Sequence, residues 1–139
     1  MKPVPAPGEP EGLILYDGVC VFCSRWVRWV IARDRAGRFR FAPVQGAYGR
    51  RMAQSLGLDP EAPQSNAVIV DGMALFKSDA TLAVLSSLPG WGWTRVFLAT
   101  PRPVRDWAYD RMAANRYRFF GRTDVCWLPT PEERERFFD

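Results

Sequence analysis

Asp17, Cys20 and Cys23 are the residues of this chain whose types and spacing can do chemistry. They lie in Asp17-Gly18-Val19-Cys20-Val21-Phe22-Cys23, after the apolar run Leu13-Ile14-Leu15-Tyr16 and at the start of a long amphipathic segment. Two cysteines separated by two residues at a helix start lie close enough to close a disulfide, and the first meets the positive end of the helix dipole, which stabilises a thiolate. An ordinary thiol with a pKa of about 8.5 is mostly protonated at neutrality, so a drop of about one to two units, each worth roughly 1.4 kcal/mol, makes it reactive. The spacing points to thiol-disulfide exchange, with Cys20 as the exposed attacking sulfur and Cys23, deeper, as the resolving one. Asp17 reads as a turn former or, if buried beside the dithiol, as a proton relay to Cys23.

Two other readings of the pair stay open: half of a metal site, or two small packed residues. A closed zinc site takes four Cys or His ligands. The chain has three cysteines and no histidine, so a metal-binding module would need Asp17, Cys20, Cys23 and Cys126, with water or a second chain as further donors. Cys126 alone reads first as a small packed residue. The absence of histidine removes Cys-His and Ser-His nucleophile pairs and leaves acid-base work to Asp, Glu, Cys, Tyr or water. Arg25 and Arg28 either add positive potential near the dithiol or face solvent. The six tryptophans read as core or groove lining. Arg116-Tyr117-Arg118-Phe119-Phe120-Gly121-Arg122 interleaves arginine with aromatics as a nucleic-acid groove would, though packing of its aromatics is the plainer reading. A net charge of +4 does not demand a nucleic-acid partner.

The elements that must position the pair follow from periodicity. Leu13 to Tyr16 fits a buried strand that ends at Asp17-Gly18. From Cys20 to Arg33 the period becomes helical, through Cys23, Val27, Val30 and Ile31, and Gly37 supplies a stop. Arg38-Phe39-Arg40-Phe41-Ala42 alternates as a strand with one wet face, ended by Pro43. Tyr48, Met52 and Leu56 mark a helix over 46–56 with Gly57 at its C-cap. Asn66 to Val70, Asp71-Gly72 and Met73 to Phe76 form the strongest hairpin signal. Ser78 or Asp79 is expected to cap a helix carrying Leu82, Val84, Leu85 and Leu88. Trp93 to Thr100 and Val104 to Asn115 look helical. The result is an α/β fold with the β-α-β-α-β-β-α order of a thioredoxin-like core and a C-terminal helical extension.

A chain of 139 residues is the usual length of one domain. Residues 1–12, broken by Pro3, Pro5, Pro7 and Pro10, read as a flexible lead-in, and 13–139 as a single domain. The lead-in lacks the apolar core of a secretory signal, and no run of 18 or more apolar residues suggests a membrane span. The expected setting is therefore the reducing cytosol. Neither composition nor pattern fixes the oligomeric state.

The segment Tyr16 to Cys23, the Arg38-Phe39-Arg40-Phe41 strand, the Tyr117-Arg118-Phe119-Phe120-Gly121 run and Cys126-x-Leu128-Pro129-Thr130-Pro131-Glu132 together resemble the DCC family, named for its Asp-Cys-Cys motif. That resemblance spans about Leu13 to Phe138. It implies a thiol-disulfide oxidoreductase of thioredoxin-like fold, with Asp17, Cys20 and Cys23 at the signature positions and Cys126 as a recurrent feature. No bound organic cofactor is implied, because the electrons reside in the cysteines. The partner implied is a disulfide-containing protein or a small thiol. Thioredoxin-like proteins place a cis-proline before the third strand, facing the dithiol. Here Ser65-Asn66 takes that place and Pro63 falls too early, a departure that favours a small thiol or one dedicated partner over extended polypeptides.

Overall fold

In the computed structural model, residues 3–18, 20–61, 65–120 and 136–137 are described, with the backbone alone for 21, 22, 116, 117, 119 and 120. The chain runs β1 (Val4–Pro5), β2 (Leu13–Tyr16), α1 (Val21–Arg33), β3 (Arg40–Pro43), α2 (Ala47–Ser55), β4 (Ala67–Val70), β5 (Met73–Phe76), α3 (Lys77–Ser87), a 3-10 helix (Gly92–Ala99) and α4 (Arg102–Phe120). The strands form one sheet in the order β1-β5-β4-β2-β3. β2 and β3 are parallel, Leu13 opposite Arg40 and Tyr16 opposite Pro43, whereas β4 runs antiparallel to β2 and β5 antiparallel to β4. With α1 and α2 between the first strands of this core and the β4–β5 hairpin after them, this is a thioredoxin-like α/β fold.

β2 sits between two strands and all four of its residues are buried, which is why Leu-Ile-Leu-Tyr reads as an unbroken apolar run. Its alternate residues serve opposite faces of the sheet. Leu13 and Leu15 pack with Ala42, Val44, Met52, Ala53, Ile69 and Phe76 under α2. Ile14 and Tyr16 pack with Val27, Val30, Phe41, Val68, Ala80 and Val84 under α1 and α3. The hairpin turns on Asp71 and Gly72, whose φ values of 53° and 76° are the pair of positive angles a two-residue type I′ turn requires.

The structure departs from the sequence pattern at four places, the first through a local contact and the other three through contacts made far along the chain. β3 begins at Arg40 because the Arg38 and Phe39 N–H groups donate to the Asp34 carboxylate instead of a ladder. Within the proline-rich lead-in, Val4 and Pro5 pair with Ala74 and Met73 of β5, and the Ala6 N–H donates to Gly72. Neither Ser78 nor Asp79 caps α3, which starts at Lys77. The Ser78 hydroxyl donates to Asp106, and Asp79 pairs with Arg102 and Arg105, so the residues expected to cap one helix fasten another to it. Those ties also draw the start of α4 back to Arg102, two residues earlier than its apolar pattern suggests.

At the far margin of the sheet, Phe137 bridges to Phe41 and their rings lie 5.1 Å apart, while Arg136 pairs with Asp34. No helix among the described residues is long and apolar enough to cross a membrane.

Candidate functional site

The junction between β2 and α1 holds the chain's thiol pair. Cys20 is the N-cap of α1, with extended backbone angles, and its Sγ accepts the Cys23 N–H at 3.4 Å. That contact uses one of the donors a helix start leaves without an intrahelical acceptor. No acidic residue stands in the first turn of α1, so negative charge on the Cys20 sulfur meets no carboxylate there. Both residues are thiols in this structure.

The approach to the pair is fixed by an amide clamp. The Gln45 side-chain carbonyl accepts the Gly18 N–H at 2.9 Å, and its Nε2 donates to Asp17 Oδ1 at 2.8 Å. The Asp17 backbone carbonyl accepts the Cys20 N–H at 3.3 Å, and the Ser24 hydroxyl donates to the Gly18 carbonyl at 3.2 Å. Gln45 is held in turn because the Val44 N–H donates to Tyr16 and α2 approaches β3 closely at Gly49. A Cβ at Gly49 would sit 2.0 Å from the Pro43 carbonyl oxygen, so only glycine fits.

Exposure of the two sulfurs is the reverse of the sequence expectation. Cys20 is 0% exposed, whereas Cys23 is half-buried and lines a cleft. The N-cap geometry accounts for it: the Cys20 side chain folds back over the first turn to meet the Cys23 N–H, and Cys23, within that turn, faces α4. Asp17 is 3% exposed, the burial that the relay reading calls for.

The cleft, about 240 Å³, is lined by Tyr16, Cys23, Trp26, Asn66, Thr81, Tyr109 and Met112. Asn66 and Tyr109 hold each other across it. The Asn66 N–H donates to the Tyr109 hydroxyl at 3.1 Å, and that hydroxyl donates to Asn66 Oδ1 at 2.9 Å. From Trp26 a ladder of rings leads outward: Trp26 stacks on Trp29 at 5.5 Å, Trp29 meets Trp91 edge-on at 5.2 Å, and Trp91 stacks on Trp93 at 6.0 Å. Groove lining, one of the two expectations for the tryptophans, thus applies to Trp26.

Sequence reasoning singled out Asp17, Cys20, Cys23 and the Ser65-Asn66 position, and it missed Gln45, Thr81, Tyr109 and Met112. Gln45 carries no pattern, being one polar residue in a loop, and its partner lies 28 positions away. Tyr109 and Met112 sit three apart on α4, a helical pair that signals a face without telling what the face covers.

Among the described residues no group of three Cys, Asp or Glu side chains gathers as a metal site would require. Cys126 lies outside the described residues, as do Gly121 and Arg122 and the side chains of Arg116, Tyr117, Phe119 and Phe120, so the readings placed on them rest on sequence alone.

The profile of the DCC1-like thiol-disulfide oxidoreductase family matches residues 14–122. The uncharacterized protein YuxK of Bacillus subtilis is 37% identical over 129 residues, which cover 92% of this chain and 94% of that protein. A chloroplastic DCC family protein of Arabidopsis thaliana is 32% identical over 122 residues, covering 86% of this chain and 71% of that one. No solved structure matches the chain.

Proposed function

Because this chain belongs to the DCC1-like thiol-disulfide oxidoreductase family, we propose that Cys20 and Cys23 are its redox pair and that it exchanges this dithiol with a substrate disulfide. The observation that carries the reading is the N-cap sulfur of Cys20, which accepts the Cys23 N–H at the positive end of a 13-residue helix. A thiolate there gains from the helix dipole and from a charge-assisted hydrogen bond.

One sulfur of the pair bonds to a substrate sulfur as the substrate S–S bond breaks, giving a mixed disulfide and a leaving thiolate. The second sulfur then attacks the first and expels the remaining substrate thiolate, and two electrons have passed to the substrate as the Cys20–Cys23 disulfide forms. Asp17, buried and oriented by Gln45, is the proton relay for the thiol that must ionise. The working setting proposed is the reducing cytosol.

The test is single-turnover oxidation of the reduced protein by a small disulfide, followed by mass spectrometry. Wild type should lose two hydrogens as Cys20–Cys23 closes. Cys20→Ser and Cys23→Ser should each abolish that closure, and Asp17→Asn should slow it roughly 100-fold. Unchanged exchange in both cysteine variants would remove the pair from the reaction.

A further inference from the structure

Resting on that exchange chemistry, we propose that the cleft beside Cys23 is the substrate site, that it takes a small uncharged disulfide with an aromatic or apolar body, and that Cys23 is the sulfur that bonds to it.

The walls argue for the class. Tyr16, Trp26, Tyr109 and Met112 are among the lining residues, and none of the lining residues carries a charge. Several polar atoms among them are already matched, Asn66 Oδ1 with Tyr109 and the Thr81 hydroxyl with the Lys77 carbonyl. A carboxylate or ammonium entering this cleft would shed water without gaining a counter-charge, a cost that an apolar body does not meet. A volume of about 240 Å³ suits a body of one or two small rings.

The same contacts argue against a polypeptide. A peptide that docks as an added strand depends on open backbone donors and acceptors. At the lead-in to β4 the Asn66 N–H is taken by Tyr109, and α4 lies over that position. The extension therefore occupies the place a polypeptide would need, and its ring completes the wall of a smaller site.

The order of events follows from exposure. Cys23 lines the cleft and Cys20 is buried behind it. The Cys23 proton leaves to solvent by way of the Asp17 relay proposed above, the Cys23 sulfur bonds to one substrate sulfur as the substrate S–S bond breaks, and the leaving thiolate takes a proton from solvent. The Cys20 thiolate then attacks the Cys23 sulfur and expels the second substrate thiolate, which is protonated by solvent. The substrate gains two electrons and two protons, and the protein gains one disulfide.

A matched pair of probes tests this: 4,4′-dithiodipyridine, aromatic and neutral, and 5,5′-dithiobis(2-nitrobenzoate), aromatic and dianionic. Rates of oxidation of the reduced protein are divided by the rates of the same probes with 2-mercaptoethanol, and insulin serves as the polypeptide disulfide. The neutral probe should be favoured by about tenfold, against the pull of the chain's positive net charge, with insulin slowest. Met112→Arg, at an exposed position on the rim, should bring the preference close to one. Cys20→Ser should carry the pyridyl adduct on Cys23, and Cys23→Ser should carry none. Equal normalised rates, a preference untouched by Met112→Arg, or an adduct on Cys20 would overturn this assignment while leaving the redox pair in place. Failure of every disulfide to close the wild-type pair would overturn the exchange chemistry and this inference with it.

Discussion

The two faces of the sheet are cut from the same strands and packed by different means. Under α2 alanines thread an aliphatic core, Ala42, Ala53, Ala67 and Ala74 beside Leu13, Leu15 and Ile69, and at Gly49 the helix meets the strand backbone to backbone. Under α1 and α3 the layer is aromatic, with Phe39, Phe41, Trp26, Trp29, Trp91 and Phe137. Small side chains allow close approach, whereas large rigid rings leave gaps, and the cleft beside Cys23 lies among the rings. The comparison teaches a division of labour: one face fixes the height at which β3 and Gln45 sit, and the other uses that fixed frame to hold a thiol pair next to a cavity.

Three substitutions would break or sharpen that division. The largest effect belongs to Gly49→Ala, which drives a methyl group into the Pro43 carbonyl and should cost about 3 kcal/mol in urea unfolding, the folded fraction still exchanging disulfides. If stability is unchanged, the close approach under α2 is not what holds that face. Gln45→Ala lies where the faces meet. It removes the Gln45 hydrogen bonds to the Gly18 N–H and to Oδ1 of the buried Asp17 carboxyl, so it should cost about 2 kcal/mol and slow exchange as well. A loss of stability with no change in rate would separate the clamp from the chemistry.

The smallest effect is expected at Tyr48, on the α2 side, whose hydroxyl donates to Glu9. Burial, then the hydrogen bond and the charge of Glu9, push this phenol up to about 12 against the opposing pull of Arg51. A folded-state pKa above the ordinary value of 10 means that the folded protein holds its proton longer than the unfolded chain. The contribution is therefore complete below pH 10 and is lost as pH rises toward 12. Tyr48→Phe should cost about 1 kcal/mol at neutral pH, flatten that alkaline decline, and leave exchange alone. An ultraviolet titration in which all tyrosines ionise together near 10 would contradict the assignment.

Local pattern carried most of the core into view. The strand before the dithiol, the hairpin at Asp71-Gly72 and the helix that begins after Cys20 are each written in residues adjacent in the chain, through period, turn chemistry and capping. What escaped was set by partners far away. Ser78 and Asp79 have the chemistry of capping residues, yet stronger partners on α4 claim them. Val4 and Pro5 look like lead-in because two residues with a proline show no period, and only the open margin of β5 gives them a place. The pair Cys20 and Cys23 was legible as a redox motif, but which sulfur faces outward depends on the Cys20 side chain turning in to cap α1. The clamp by Gln45 had no local signal at all.

Both ends of the described chain lie along the sheet's outermost strands. On one side stands a two-residue strand that contains a proline; on the other, Phe137 leans against Phe41. A row of unsatisfied strand groups invites pairing with other copies, and short proline-bearing margins or a covering segment remove the template. An apolar sheet that could otherwise seed fibrils is thus blunted at one border by Val4 and Pro5 and at the other by Phe137, and removing either cover would be the way to make it self-associate.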